Sequence, residues 1–360
     1  MRHCLIAAAL AAFFVPGAIL AASDPTDGEG DRAFENAPVT WSIEASEEQR
    51  AKGIVQLALS RRSANNQWMH SNSRPLAELE GLSAAQLASS SGVNVRFRLA
   101  RDAGLIDCDG VMRRYRGSGD CRFQADSGFA SELERRGHGA ATNAQLFSLA
   151  LHDIGRPFLD ELKRQGYARA SVADLLRAGS HGVGPDYLRS MGGQGYRVES
   201  LGALVRMRDH GVTPDYVAGL ARHGIRNLST EDVIRVRDHG VTPDYIAAFR
   251  EAGYDGLPLQ DLIDLRNHGV GADYLGELQR YGVRRLPAAD LIRLRTHGVT
   301  PAFLHELREL GYGELPAGEI VNMRIHGVTG DFIRKVNASG GSRRSPSELV
   351  ALRIGGWSAR

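Results

Sequence analysis

Apolar positions along this chain follow two different rhythms, and the change between them falls near residue 125. Over residues 126–357 short apolar stripes at helical spacing alternate with glycine-bearing stops. Val233, Ile234 and Val236 are the apolar face of one short helix, which the pattern ends at His239. Gly240 supplies the left-handed residue that closes it and Val241 packs back, as in a Schellman stop. Thr242 is then the N-cap of the next helix and Pro243 its first residue, where a missing N–H costs nothing. Asp244 falls in the first turn, favourable to the helix dipole. Tyr245, Ile246 and Phe249 give that helix its buried face; it stops at Gly253, with Tyr254 packing back. Pro258 and Asp261 open the next helix, where Leu262, Ile263 and Leu265 renew the pattern.

This unit recurs. His-Gly-Val-Thr-Pro-Asp-Tyr stands intact at His210–Tyr216 and again at His239–Tyr245. The histidine returns every 29 residues, at His152, His181, His210, His239, His268, His297 and His326. The glycine stop keeps the same step at Gly137, Gly166, Gly195, Gly224, Gly253, Gly282, Gly311 and Gly340. A fixed period of this length marks a solenoid. Each unit reads as two helices of about nine or ten residues, which are marginal alone and depend on stacking. The array is expected to open with a half unit from Gly128 to Leu151 and to close with one from Ser345 to Trp357, where Gly355 replaces the histidine. The Gly- and Arg-rich stretch Asn337–Arg344 reads as an insert that loosens the last full unit.

Residues 39–125 instead alternate apolar and polar positions, the strand rhythm. Val55, Leu57 and Leu59 share one strand face, with Trp68 on a partner strand beyond the polar turn Arg61–Asn66. Leu82 to Gln86 reads as a short capped helical turn. Val95, Phe97 and Leu99 begin a three-strand meander. A turn at Asp102-Ala103 sets Leu99 opposite Ile106 and Phe97 opposite Cys108. A second turn around Arg113–Arg116 sets Cys108 opposite Cys121 and Ile106 opposite Phe123. Both registers place the apolar residues on one face, which is how register is normally chosen. Arg96, Arg98, Arg113, Arg114 and Arg116 then form a solvated face. The fold class is α+β: a small antiparallel β-rich domain at 39–125, followed by an α-solenoid of 29-residue two-helix repeats at 126–357.

Composition adds the setting. Arg2 and His3 precede the apolar run Leu5–Val15, and small residues follow at Ala18, Ala21, Ala22 and Ser23. Residues 1–22 therefore read as a secretory signal peptide, too short to be a spanning helix. Residues 23–38, rich in Asp, Glu, Gly and Pro, read as a disordered linker. No later segment is apolar enough to span a membrane, so the mature chain is expected to be soluble and exported, periplasmic or secreted. Of the three cysteines Cys4 leaves with the signal, and Cys108 with Cys121 is expected to form a disulfide in the oxidising compartment. A net charge of +2 argues against a nucleic-acid partner.

Two ladders are the candidates for chemistry. The histidines suggest metal or proton sites, but equivalent residues of stacked units lie roughly 8–10 Å apart. Zinc holds its ligands at about 2.0–2.1 Å, so neighbouring rungs cannot share an ion, and a structural role at the repeat turn is expected for them. Arg208, Arg237, Arg266, Arg295, Arg324 and Arg353 precede the histidine, or Gly355 in its place, by two residues; acids follow it by five at Asp186, Asp215, Asp244, Asp273 and Asp331. An Arg–Asp pair stapling each turn is expected, the alternative being an arginine-lined surface for carboxylates or phosphates. His305-Glu306-Leu307-Arg308-Glu309 begins like H-E-x-x-H but places Glu309 where the second metal ligand belongs. No nucleophile elbow, phosphate loop, paired-cysteine zinc motif or EF-hand loop occurs, so no catalytic, cofactor or metal residue is assigned.

The units around L-I-R-L-R-x-H-G-V-T-P, with G-Y-x-x-L-P between them, resemble short helical repeats of exported bacterial proteins. Some of those repeats are attached to beta-lactam-sensor-type metallopeptidases of the BlaR/MecR group. The resemblance spans roughly residues 126–357 and implies the repeat fold and an envelope setting; the peptidase domain is absent, so it does not imply proteolysis. The expected function is that of a non-enzymatic exported binding or scaffold protein recognising a protein, peptide or envelope component. The alternative is a ligand-sensing accessory of an envelope stress or antibiotic-response system.

Overall fold

The structure, a computed structural model, describes residues 39–62, 67–281, 285–340 and 343–357. The expected signal peptide and linker lie outside the described residues, as do Gly282 and part of the turn Arg61–Asn66. The fold is α+β. Two compact units are formed: one from the described residues through Ala100 with Gly104–Ala125 and Ala141–Phe147, the other from Arg101–Ala103, Asp126–Ala140 and the described residues from Ser148 on. Strand gives way to helix at residues 125–127, yet the units interleave in sequence across that point instead of parting at one cut.

The first unit is a six-stranded antiparallel sheet. Its strands are β1 (Val39–Glu44), β2 (Ile54–Arg62), β3 (Gln67–Pro75), β4 (Val93–Arg101), β5 (Gly104–Arg113) and β6 (Arg116–Ala125), in the order β3-β2-β1-β6-β5-β4. The expected register of β5 on β6 holds, with Cys108 facing Cys121 and Ile106 facing Phe123. The two buried cysteines are bonded, with an S–S distance of 2.00 Å. Residues Arg114 and Tyr115 turn this hairpin with φ of 49° and 65°, the hand that suits strand twist. Arg96 pairs with Asp107 and Arg98 with Glu80 on the solvated face. Ser83 caps the short helix Ala84–Ala88 in a reciprocal capping box with Gln86.

Strand β1, flanked by β2 and β6, adds to the elements expected from sequence and joins the two meanders. Its Trp41 is buried edge-on to Phe97 at 5.0 Å, and its indole N–H donates to the Asp109 carbonyl at 2.9 Å. Gly110 and Gly119 face each other beneath that ring, where a Cβ on either would come within 2.7 Å of the indole. The strand pair thus gives up two side chains to seat one large one.

The second unit carries the array, except for the part of the helix Asn143–Leu151 through Phe147, which belongs to the first. Helices ending at the histidine are Val172–Ser180, Leu201–Asp209, Thr230–Asp238, Leu259–Asn267, Ala288–Thr296 and Ala317–Ile325. Helices following it are Arg156–Gln165, Pro185–Gly193, Pro214–Arg222, Pro243–Glu251, Ala272–Arg280 and Pro301–Glu309. Both kinds extend the 29-residue register outward, to Ser127–Arg135 and Asn143–Leu151 at the start and to Gly330–Gly340 and Pro346–Ile354 at the end. The opening segment therefore carries both helices of a pair, one of them more than the half unit expected. The stretch Asn337–Arg344 inserts nothing, since Ala317 and Pro346 keep the step; instead the helix Gly330–Gly340 runs to 11 residues.

The turn forms as its chemistry dictates. Gly240 has φ +68°, Val241 N–H bonds to the Val236 carbonyl at 3.1 Å, and Val241 is fully buried. Thr242 accepts from Tyr245 N–H, and Pro243 opens the helix. In the pair Gly330–Gly340 and Pro346–Ile354, Trp357 takes the place of this valine and meets Phe332 edge-on at 5.7 Å. Gly240→Val forces a β-branched residue into the left-handed region, with a cost of about 1–3 kcal/mol. His239→Ala removes one exposed hydrogen bond of about 1 kcal/mol or less. Thermal melts of the two variants should show the larger loss for Gly240→Val.

Candidate functional site

The third helical residue after the cap lies on the buried face, in the starts Pro-Asp-Tyr at Tyr187, Tyr216 and Tyr245 and Ala-Asp-Tyr at Tyr274. There Tyr187, Tyr216, Tyr245 and Tyr274 are buried, and each hydroxyl reaches across to the next unit. They donate to the carbonyls of Val212, Val241, Val270 and Val299 at 2.9, 2.8, 2.8 and 3.1 Å. Those carbonyls belong to the next unit's turn, so a side chain of one unit satisfies the backbone of its neighbour.

The arginine ladder closes over the same rings. Arg208, Arg237, Arg266 and Arg295 lie 5.3, 5.0, 5.2 and 5.0 Å from the ring centres of those four tyrosines, within cation–π range. Arg324 covers Phe303 at 5.5 Å and Arg353 covers Phe332 at 5.2 Å. Where the ring is Phe the hydroxyl is gone, but the arginine stays, so the ring face is what it requires. Arg295 and Arg324 also donate from Nε to the carbonyls of Gly269 and Gly298, at 3.1 and 3.0 Å. Each of these two guanidiniums is thereby fixed by its face and one edge.

This arrangement corrects the expected Arg–Asp staple. Among the described residues no ion pair joins the arginine ladder to the aspartates five residues after the histidine. Asp186 and Asp331 pair instead with Arg189 and Arg334 on their own helices. The physical reason is that a flat, weakly hydrated guanidinium gains more on a buried aromatic face than on an exposed carboxylate. The signal was present as an aromatic column and an arginine column in one register, 21 residues apart.

The histidines cap the helix ends, and from His181 on they occupy the last non-helical position before glycine. His181 and His210 bond through Nδ1 to Asp209 at 2.6 Å and Asp238 at 2.9 Å. His239 meets Asn267 at 2.8 Å, and His268 meets Thr296 at 3.3 Å. In the last two rungs this partner column holds Ile325 and Ile354, and the side chains of His297 and His326 make no hydrogen bond among the described residues. His152 packs beside Gly179, where a Cβ would come within 2.7 Å of the His152 Cβ. Among the described residues no three His, Cys, Asp or Glu side chains converge as a metal site. His305 is exposed beside Tyr281, ring centres 5.1 Å apart.

A second column joins the units on the other turn. Tyr312 donates to the Arg344 carbonyl at 2.6 Å, and His138, in the same register, bonds to that of Ala170 at 2.6 Å. At the array's start Arg156 bridges Asp102 and Glu132, while Arg136 links Glu132 to Asp160. In the sheet unit a polar hollow of about 430 Å³ is lined by Glu44, Ser46, Arg50, Arg114, Tyr115 and Arg116. Ser46 there is committed as a helix cap and Arg50 lies over Tyr115 at 4.1 Å.

What the array defines is a class: a helical-repeat protein whose turns carry arginine and histidine in one register. No known protein family, characterised protein or solved structure matches the chain. Among the described residues no helix is long and apolar enough to cross a membrane.

Two outcomes follow from the tyrosine column. Tyr245→Phe leaves the Val270 carbonyl without its donor, with an expected loss of about 1–2 kcal/mol, while Phe303→Tyr supplies the missing hydroxyl and should raise the melting point. Burial pushes the phenols of Tyr187 and Tyr274 up to about 12, and those of Tyr216 and Tyr245 up as well, against the opposing pull of the stacked arginines. A phenol with a raised folded pKa keeps its proton longer folded than unfolded, so this stability is present below pH 10 and is lost as pH rises towards about 12. Denaturant midpoints across that window should fall more steeply in the wild type than in a variant with all four tyrosines changed to Phe.

Proposed function

We propose that the protein is an exported, non-enzymatic binding or scaffold protein whose repeat edge holds an extended protein or peptide partner. The observation that carries this reading is the arginine ladder. Six guanidiniums lie on aromatic rings at successive turns, and none is committed to a carboxylate among the described residues. A side chain already held in place loses little entropy on binding, which favours recognition over a merely solvated charge. Solenoids offer extended surfaces of this kind to macromolecules. The export part of the reading rests on the leader pattern and on the cysteine pair, which suits an oxidising compartment. The resemblance to repeats of exported bacterial proteins supports the same setting.

A photo-crosslinking residue at His268, on the edge, tests this in envelope extract against one at Arg122 on the exposed side of β6. The expected result is a saturable adduct from position 268 that unlabelled protein competes away, and none from position 122. Equal labelling from both positions, or no saturable adduct at 268, overturns the reading.

A further inference from the structure

The edge is not uniform along its length. Beside the arginine, the column that partners the histidines runs Asp209, Asp238, Asn267, Thr296, Ile325, Ile354. In the first two rungs an acid accompanies each arginine. Asp209 and Arg208 both act on the Tyr187 phenol, in opposite directions, and Asp238 and Arg237 do the same at Tyr216. In the next two rungs, beyond burial, the arginine is the one charged group that acts, Arg266 on Tyr245 and Arg295 on Tyr274. In the last two the partner is apolar and open to solvent, Ile325 being 56% and Ile354 65% exposed. Over these rungs the second acidic column is broken once, at Ala302, between Asp273 and Asp331.

Resting on the binding reading above, we infer that the four C-terminal rungs, Arg266, Arg295, Arg324 and Arg353, dock an extended acidic peptide segment, with Ile325 and Ile354 receiving its aliphatic residues. Charge complementarity names the occupant, because these guanidiniums carry a positive charge that the neighbouring column no longer balances. Their Nη groups take no carboxylate among the described residues, and a planar guanidinium offers a carboxylate two parallel N–H donors. Rung spacing fits the same occupant. Stacked helices repeat at roughly 8–10 Å and an extended chain rises about 3.3 Å per residue, so each rung meets every third residue of the peptide. An anionic membrane fits less well, since two isoleucines in single file do not make the broad apolar face that inserts into an interface. The first two rungs, balanced by Asp209 and Asp238, exclude acids and set the end at which the segment stops.

The test uses the full chain and a synthetic peptide of about twelve residues, four rungs at about three residues each. Glutamate stands at every third position, with leucine and serine between; a second peptide carries glutamine in place of glutamate. The column itself supplies variants that leave every stacked arginine untouched. Thr296→Asp with Ile325→Asp copies the acids of the first rungs into the later ones, and Asp209→Asn with Asp238→Asn does the reverse. Binding of the glutamate peptide is expected, about tenfold or more weaker in the first pair, in line with the loss of a charge-assisted contact, and unchanged or tighter in the second. Melting curves for each variant confirm the fold. Equal binding of the glutamine peptide, unchanged affinity in Thr296→Asp with Ile325→Asp, or binding of phosphatidylglycerol vesicles in place of the peptide overturns the inference. If the position-268 adduct persists unchanged in Thr296→Asp with Ile325→Asp, the acidic inference falls and the binding reading stands; loss of that adduct in the wild-type chain removes both.

Discussion

A tyrosine held between two parts of the following unit is the contact on which the array depends. Its ring lies under that unit's arginine and its hydroxyl satisfies that unit's valine carbonyl. Nine-residue helices do not hold themselves in water, so their stability has to come from neighbours. A hydrogen bond contributes about 1 kcal/mol and a stacked cation about 0.5–1 kcal/mol. Each is small, but the pair recurs across four consecutive interfaces, from Tyr187 to Tyr274, and the arginine continues for two more. At Phe303 and Phe332 the hydroxyl is dropped, and Trp357, in the register of the turn valine, packs edge-on against Phe332.

The turn makes this contact possible. Left-handed glycine and threonine-capped proline set the direction of two helices within a few residues, which brings the valine carbonyl to the tyrosine and the arginine over its ring. The same residues therefore fold the repeat and build its edge. Positions that hold the units together change little along the array, while the position beside them passes from aspartate to isoleucine. Such a position is free to vary because neither the ring nor the carbonyl depends on it, and a free position on a fixed edge is where recognition can be tuned.

Local patterns carried much of the fold in plain view. The glycine stop, the Thr-Pro start, the alternation at Val95, Phe97 and Leu99, and the register that sets Cys108 on Cys121 all follow from chemistry within a few residues or across one hairpin. Strand β1 was harder to read because it pairs with β2 on one side and with β6, some 80 residues later, on the other. Its place in the sheet depends on a glycine pair that only the folded sheet sets beneath Trp41.

For the site the division is sharper. The 29-residue register by itself determined that arginine, histidine, aspartate and tyrosine would each form a column, because a repeated backbone repeats its side chains. Which columns touch was decided by stacking, since the contacts join residues 21, 25 and 28 positions apart in different units. An arginine with an acid nearby in sequence suggests an ion pair, yet the folded array offers it a buried ring face. The sign of that choice rests on desolvation and planarity, quantities that arise only once the units are packed. Sequence named the rungs; tertiary structure decided what each one holds and left the outer edges of the arginines turned to solvent.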